Sequence, residues 1–295
     1  MIGSLKVIRS ICVKPSDAVR WACLIEATAP KAGNVFPGRD FADLTYRDFV
    51  NAAEITSAAL ANYGSFSLRV NHASSTISKR IGTNVNLGIL LLIGPLVEAD
   101  SPDQMPPGKG ARQSRSGLRE RVGGVLHSMT ADDAKLLYDA INVSVPGGMG
   151  KSEEMDLAGP PPANFCDAMR AAASRDRIAR NYANGFSDLF DVVLPAVHES
   201  IMSESDLLGG VALAHLRLLA SEPDTLIARK FGLSVAREVQ RRADFDHHDL
   251  DARESFDQFL RTAAVDQSGQ SSNINPGTTA DMIAAALYVL LRESD

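Results

Sequence analysis

The chain has 295 residues, 45% hydrophobic and 22% charged, which supplies enough apolar material to bury a full core. A net charge of −6 and a pI near 5.6 exclude a general nucleic-acid binder, which would carry a basic stripe, but leave room for a local basic pocket that takes phosphates. Cys12, Cys23 and Cys166 are an odd, widely spaced set without a CxxC pair, so the expectation is a reducing, cytoplasmic setting with neither a disulfide framework nor a structural zinc site.

The opening stretch "MIGSLKVIRSICVKPSDAVRW" lacks the uninterrupted apolar run and small-residue cleavage site of a leader. Helical spacing begins with Val19, Ala22, Cys23 and Glu26 at i, i+3, i+4 and i+7, which puts a carboxylate on an apolar stripe. The Gly/Pro-rich loop "TAPKAGNVFPGRDFADL" follows. Thr45 and Asp48 form a capping box ahead of a helix whose one side carries Phe49, Ala53, Thr56 and Leu60. Further helices are expected near 74–81, 85–97, 117–128 and 131–141, the last behind a second box, Thr130 and Asp133. The greasy run "LGILLLIGPLV" is too short for a bilayer, which takes roughly 20 residues, and reads as a buried helix rather than a membrane span.

Later helices are expected near 164–180, 185–203, 205–220, 225–242 and 252–265. The clearest is the last, where Met282, Ile283, Ala286, Leu287, Leu290 and Leu291 repeat behind a cap supplied by Thr278 and Asp281. "AINVSV" suits a short strand but has no partners of comparable quality, and neither a βαβ rhythm nor an internal repeat is visible. The expectation is a single all-α domain over 1–295 with long functional loops, "SPDQMPPGKGARQSRSG" and "PGGMGKSEEMDLAGPPPAN".

"VPGGMGKS", residues 145–152, invites comparison with a phosphate-binding loop, which requires Gly-x-x-x-x-Gly-Lys-Ser/Thr between a strand and a helix. Val145 stands where the first glycine belongs, and "EEMDLAGPPPA" is a poor helix start. Two readings remain: a loop using glycine for unusual backbone angles, or a substrate-contacting loop with Lys151 near phosphate.

Four segments carry candidate chemistry. "EATAPKAGNVFPGRDFADL" gathers Glu26, Lys31, Asn34, Arg39, Asp40 and Asp43 around two turns, which suits a polyphosphate and its metal, or a solvated turn of mutually neutralised charges. In "GTNVNLG", Asn84 and Asn86 either cap the next helix or hold a ribose or phosphate at its N-terminus. In "EPDTLIARKFG", Asp224 is a natural N-cap, and Arg229 and Lys230 suit a surface helix or a site equally well. "NINPGTTADMIAAAL" leads a Pro-Gly turn into a helix end whose free N–H groups attract anions, with Asp281 as capping carboxylate or site residue. His247 and His248 are neighbours that point apart, in a solvated acidic segment.

Taken in this order, the segments resemble the triphosphoribosyl-dephospho-CoA synthase family over about residues 20–292. "APKAGNVFPGRDFADLTYRDF" is similar to that family's Pro-Lys-Pro-Gly loop, "GTNVNLGILLLIGPL" to its Asn-Thr-His-Lys-Gly helix and "NGFSDLFDVVLPAV" to its Gly-Phe-Pro segment. "PDTLIARKFG" resembles its Asp-Thr-Asn…Arg segment, and "NPGTTADMIAAAL" its Ser-Pro-Gly-Gly-Ser-Ala-Asp segment. The resemblance implies an all-helical transferase that joins ATP to 3'-dephospho-CoA through a glycosidic bond and releases adenine, with Mg²⁺ as cofactor. It implies small nucleotides as partners, a homo-oligomer being compatible.

Carried over by this resemblance, Glu26, Asp43 and Asp281 are the catalytic carboxylates, with Asp43 and Asp281 as metal ligands. Lys31, Gly33, Asn84, Gly88, Asp224, Arg229, Pro276 and Gly277 then line substrate or phosphate, joined by Asn34 and Asn86. The chain departs from the family pattern at Asn86-Leu87 (His-Lys), Phe41 (His), Leu226 (Asn) and around Asn181-Tyr182 (Gly-Glu-Ala). The scaffold is kept while the pocket is altered, so three functions compete: the family reaction, a divergent biosynthetic step in pterin-type one-carbon cofactor assembly, and non-catalytic nucleotide binding.

Overall fold

The computed structural model describes residues 3–83, 85–101, 114–144, 162–262 and 264–293. Helix α1 (Gly3–Ile11) leads into α2 (Pro15–Thr28), α3 (Tyr46–Leu60), α4 (Phe66–Ile81) and α5 (Leu87–Ala99). Then come α6 (Arg115–His127), α7 (Ala131–Ser144), α8 (Phe165–Ala172) and α9 (Arg177–Ala183). A π turn at Leu189–Val193 opens α10 (Leu194–Ser203), followed by α11 (Leu207–Ser221), α12 (Thr225–Phe231), α13 (Leu233–Arg242) and α14 (Leu250–Arg261). Strands β1 (Ala264–Val265) and β2 (Ser271–Ser272) form a minimal antiparallel pair before α15 (Gly277–Arg292). The architecture is all-α.

The last helix is the axis of the core. Its residues Thr278 to Arg292 are all buried except Asp281, which is half-buried. A helix apolar on every side must be surrounded, and α1, α2, α5, α10 and α11 pack around this one. Helix α5, with Ile89 to Val97 buried throughout, is equally enclosed, and no described helix is long and apolar enough to cross a membrane. A second apolar cluster, including Leu219, Ile227, Val239, Phe256 and Leu260, holds α11–α14 together.

Both expected capping boxes form: Asp48 accepts from the Thr45 backbone N–H at 2.9 Å, and Asp133 from that of Thr130 at 2.9 Å. Three long helical predictions are broken by local backbone chemistry. Asp176 starts a new helix inside 164–180, and Gly232, at φ +92°, ends α12 inside 225–242. In 185–203, Gly185 and Phe186 both adopt positive φ before the π turn.

Two expectations are corrected. Residues 140–144 of "AINVSV" are the end of α7 and not a strand, because Ala140, Ile141 and Ser144 continue its buried face. Thr278 and Asp281 do not cap the last helix: it begins at Gly277, and its Thr279 N–H is capped from another helix by Asp224. The glycine-rich stretch 145–152, with Lys151, lies outside the described residues.

Candidate functional site

The exception on α15 locates the site. Asp281 sits one turn into the helix, and its carboxylate receives no hydrogen bond among the described residues. Burial pushes its pKa well above the usual carboxylate range, and the nearby charges of Glu26, Asp224 and Asp176 push the same way; Arg229 alone among its stronger neighbours opposes them. A carboxyl held neutral can donate a proton or a hydrogen bond.

Helix α2 contributes Glu26, 4% exposed, from the stripe it shares with Val19, Ala22 and Cys23. The backbone turns back after α2 so that Lys31, fully buried, places its Nζ 2.8 Å from Glu26 Oε1 and also donates to the Glu26 carbonyl. This pair is tied to Asp281 electrostatically: Glu26 and Asp281 both act on Cys23, whose thiol is pushed up chiefly by burial.

Helix α5 meets the site end-on. Asn86 occupies the N-cap position at φ +67° yet makes no capping bond; its amide turns 3.4 Å from Thr56 Oγ1, so the cap reading of Asn86 is corrected. Among the described residues no side chain caps the first amides of α5. Gly88 is required there by space, since a Cβ on it would stand 2.0 Å from Asp281 Oδ2. The carboxylate thus lies against the first turn of α5, at the positive end of the helix dipole. Asn84 is outside the described residues.

Asp224 is an N-cap, as one of its readings held, and does more. Its Oδ1 accepts from the N–H groups of Leu226 (2.8 Å) and Ile227 (3.1 Å), while Oδ2 accepts from Thr279 N and Oγ1, both at 2.8 Å. Burial raises its pKa against those hydrogen bonds. Thr225 Oγ1 donates to Thr278 Oγ1 at 3.2 Å, so the starts of α12 and α15 are clipped together. Arg229, half exposed, is engaged by Asp176, the cap of α9.

Around 30–36 the loop is pinned by α14 and the turn before α15. Gly33, at φ +74°, donates its N–H to Asp257 Oδ1 at 2.7 Å, and a Cβ on it would collide with Leu260 and Pro276. Asn34 Nδ2 donates to Asn275 Oδ1 at 2.6 Å, while Asn34 Oδ1 is buried without a partner. Pro276 and Gly277 form the entry to α15, with Leu226 packed so closely that a Cβ on Gly277 would lie 2.7 Å from it.

The structure therefore brings together Glu26, Lys31, Gly88, Asp224, Arg229 and Asp281, with Gly33, Asn34, Pro276 and Gly277 beside them. Asp43 stands apart on an exposed turn after Phe41, and is not among the stronger charges acting on Asp281. Arg39 is likewise turned outward, paired with Glu254 at 2.7 Å. Among the described residues no cluster of three or more His, Cys, Asp or Glu could enclose a metal.

Several site residues escaped the sequence reading. Arg177, almost fully buried, reaches Asp188 at 2.7 Å and Glu222 at 2.6 Å, and Arg180 shares both carboxylates. The spacing Asp176, Arg177, Arg180 at the start of a helix was the available signal. His215 also escaped. It is a single imidazole inside the apolar run "VALAHLRLL", fully buried, with neither ring nitrogen hydrogen-bonded.

Comparison with known proteins bears on the fold and the family. A solved structure of a candidate triphosphoribosyl-dephospho-CoA synthase from Archaeoglobus fulgidus superposes with a TM-score of 0.61 at 20% identity, over 83% of this chain and 98% of that one, which establishes a shared fold. No curated protein matches the chain at a significant level. The family model described as ATP:dephospho-CoA triphosphoribosyl transferase matches residues 12–295, and the chain belongs to that transferase family.

Proposed function

We propose that the protein transfers the triphosphoribosyl group of ATP to a hydroxyl of a dephospho-CoA-like acceptor, with loss of adenine. The observation that carries this reading is Asp281: an otherwise unpaired, raised-pKa carboxyl at the meeting point of α2, α5, α12 and α15. The bond from the ATP ribose C1′ to the adenine nitrogen breaks, and C1′ gains positive character. The acceptor oxygen then bonds to C1′ and gives up its proton. Asp281, protonated at rest, gives its proton to the departing base, and its carboxylate then takes the proton of the attacking hydroxyl. Glu26, fixed by Lys31, supplies the negative field that stabilises C1′.

The triphosphate is met by the uncapped amides of α5 and by Arg229 once it exchanges Asp176 for phosphate. Mg²⁺ needs only one or two carboxylates when substrate phosphates complete its shell; Asp281 must keep its proton, so Asp43, from the exposed loop, would be its protein ligand. When bound it would neutralise phosphate charge.

The test is chromatography of protein incubated with ATP, Mg²⁺ and dephospho-CoA: adenine must form, and its formation must depend on dephospho-CoA. A second acceptor, of the one-carbon cofactor type, is favoured by the substituted pocket. Leu226 packs on Gly277 where the family has Asn, and Phe41 lies 5.3 Å from the Arg261 guanidinium where the family has His. Adenine formed only with that acceptor supports the second reading.

A further inference from the structure

His215 is the most completely isolated polar side chain beside the site. It lies on α11, fully buried, with both nitrogens unpartnered. Leaving a buried polar atom unpaired costs about 1–3 kcal/mol, so an imidazole in an apolar helix face requires a reason. Among the described residues two polar groups act on the ring. The Lys31 ammonium is close enough to disfavour a proton on the ring, and burial disfavours it more strongly. The carbonyl of Pro276 is close enough to favour one, although it lies off the geometry of a full hydrogen bond. Lys31 has three donor hydrogens and its bonds run to Glu26 Oε1 and the Glu26 carbonyl, which leaves a third.

A neutral imidazole has one donor and one acceptor, and the two neighbours are an acceptor and a donor. We propose that His215 is a positioning residue that couples the Lys31–Glu26 pair to the start of α15, donating its N–H to the Pro276 carbonyl and accepting the third hydrogen of Lys31. The link spans the two walls of the site. On one side Lys31 orients Glu26; on the other Pro276 and Gly277 set the helix turn that carries Asp281. With both bonds made, the distance between the two carboxylates is fixed through His215 without its touching substrate. An aliphatic side chain at this position could make neither bond.

The inference rests on the proposed transferase reading for its effect on turnover, but not for the link itself. Two measurements on the full-length protein separate them. Nitrogen-15 NMR of labelled histidine at pH 7 reads the link directly. One neutral tautomer for His215, with its acceptor nitrogen displaced from the free-imidazole position by hydrogen bonding, is expected; a protonated ring, or two tautomers with a free acceptor nitrogen, overturns the proposal. Adenine release reads the consequence. His215→Leu is expected to lower kcat by about a hundredfold, as misplacement of reacting groups by about 1 Å does, with KM for ATP little changed. His215→Gln, which retains a donor and an acceptor, is expected to recover most of the loss. Equal rates in the Leu and Gln variants overturn the coupling. Absence of adenine release in the wild-type protein sinks the transferase reading and leaves the NMR result to decide the link.

Discussion

The two ends of α15 bury charge in opposite ways. At its C-terminal end, Arg292 reaches Asp100 Oδ2 at 2.5 Å, Tyr288 donates to the same oxygen at 2.9 Å, and Arg292 also donates to the carbonyl of Val13 at 3.0 Å. Burial raises the Asp100 pKa, but the groups that oppose it are cations and donors aimed at it. At the N-terminal end, burial raises Asp281 and its neighbours are mostly further carboxylates. Buried charges that are paired and hydrogen-bonded hold structure; a buried carboxyl surrounded by its own sign costs stability. The difference marks the second end as built for something that arrives.

The sharpest way to break the contrast is Asp281→Asn. Adenine release is expected to fall by about a thousandfold, within the range of lost general acid–base catalysis, while the fold is kept. Stability should change in the other direction. Between the ordinary carboxylate pKa and the raised one, the folded chain holds a proton that the unfolded chain has released, so the contribution of Asp281 to stability declines as pH rises through that window and stays low above it. Thermal melts should therefore show Asp281→Asn gaining on the wild type as pH increases from about 4. A variant less stable than wild type at pH 8 would contradict the strained-carboxyl account.

Gly88→Ala tests the same end from the facing helix. The added methyl must displace the Asp281 carboxylate, since its position lies 2.0 Å from Oδ2. Turnover should drop by about a hundredfold at a stability cost of about 1–3 kcal/mol, measured by adenine assay and urea unfolding. Lys31→Met leaves Glu26 buried and unpaired, and unfolding should register a loss of about 3–5 kcal/mol. Combining it with Glu26→Leu should restore much of that stability but no activity. At the closed end, Tyr288→Phe removes one donor to Asp100 and should cost about 1–2 kcal/mol with turnover unchanged; an activity loss there would erase the contrast. Smallest in stability terms is Arg229→Ala, because its pair with Asp176 is partly exposed and is worth about 0–1 kcal/mol. Its measurable effect should be a higher KM for ATP.

Much of the site was legible in local patterns. Glu26 was visible because it interrupts an apolar stripe, and Asp224 because it precedes a helix start. Asp281 was legible as a polar residue at that end of the chain, but its cap assignment failed, since Thr279 takes its cap from Asp224, 55 residues away in sequence. Which carboxylates Arg177 pairs with, and the burial of Lys31, had no local signature.

The sequence by itself determined the all-α class, the capping boxes at Thr45 and Thr130, and the apolar repeat of the last helix, because helix periodicity and end-capping act over a few residues. Only the tertiary structure decided which carboxylates meet. Asp43 and Asp281 were indistinguishable as candidates in the chain, yet one is exposed on a loop and the other is half-buried among like charges. Electrostatic environment depends on what packs within a few ångströms, and that is set by helices brought together from distant parts of the sequence.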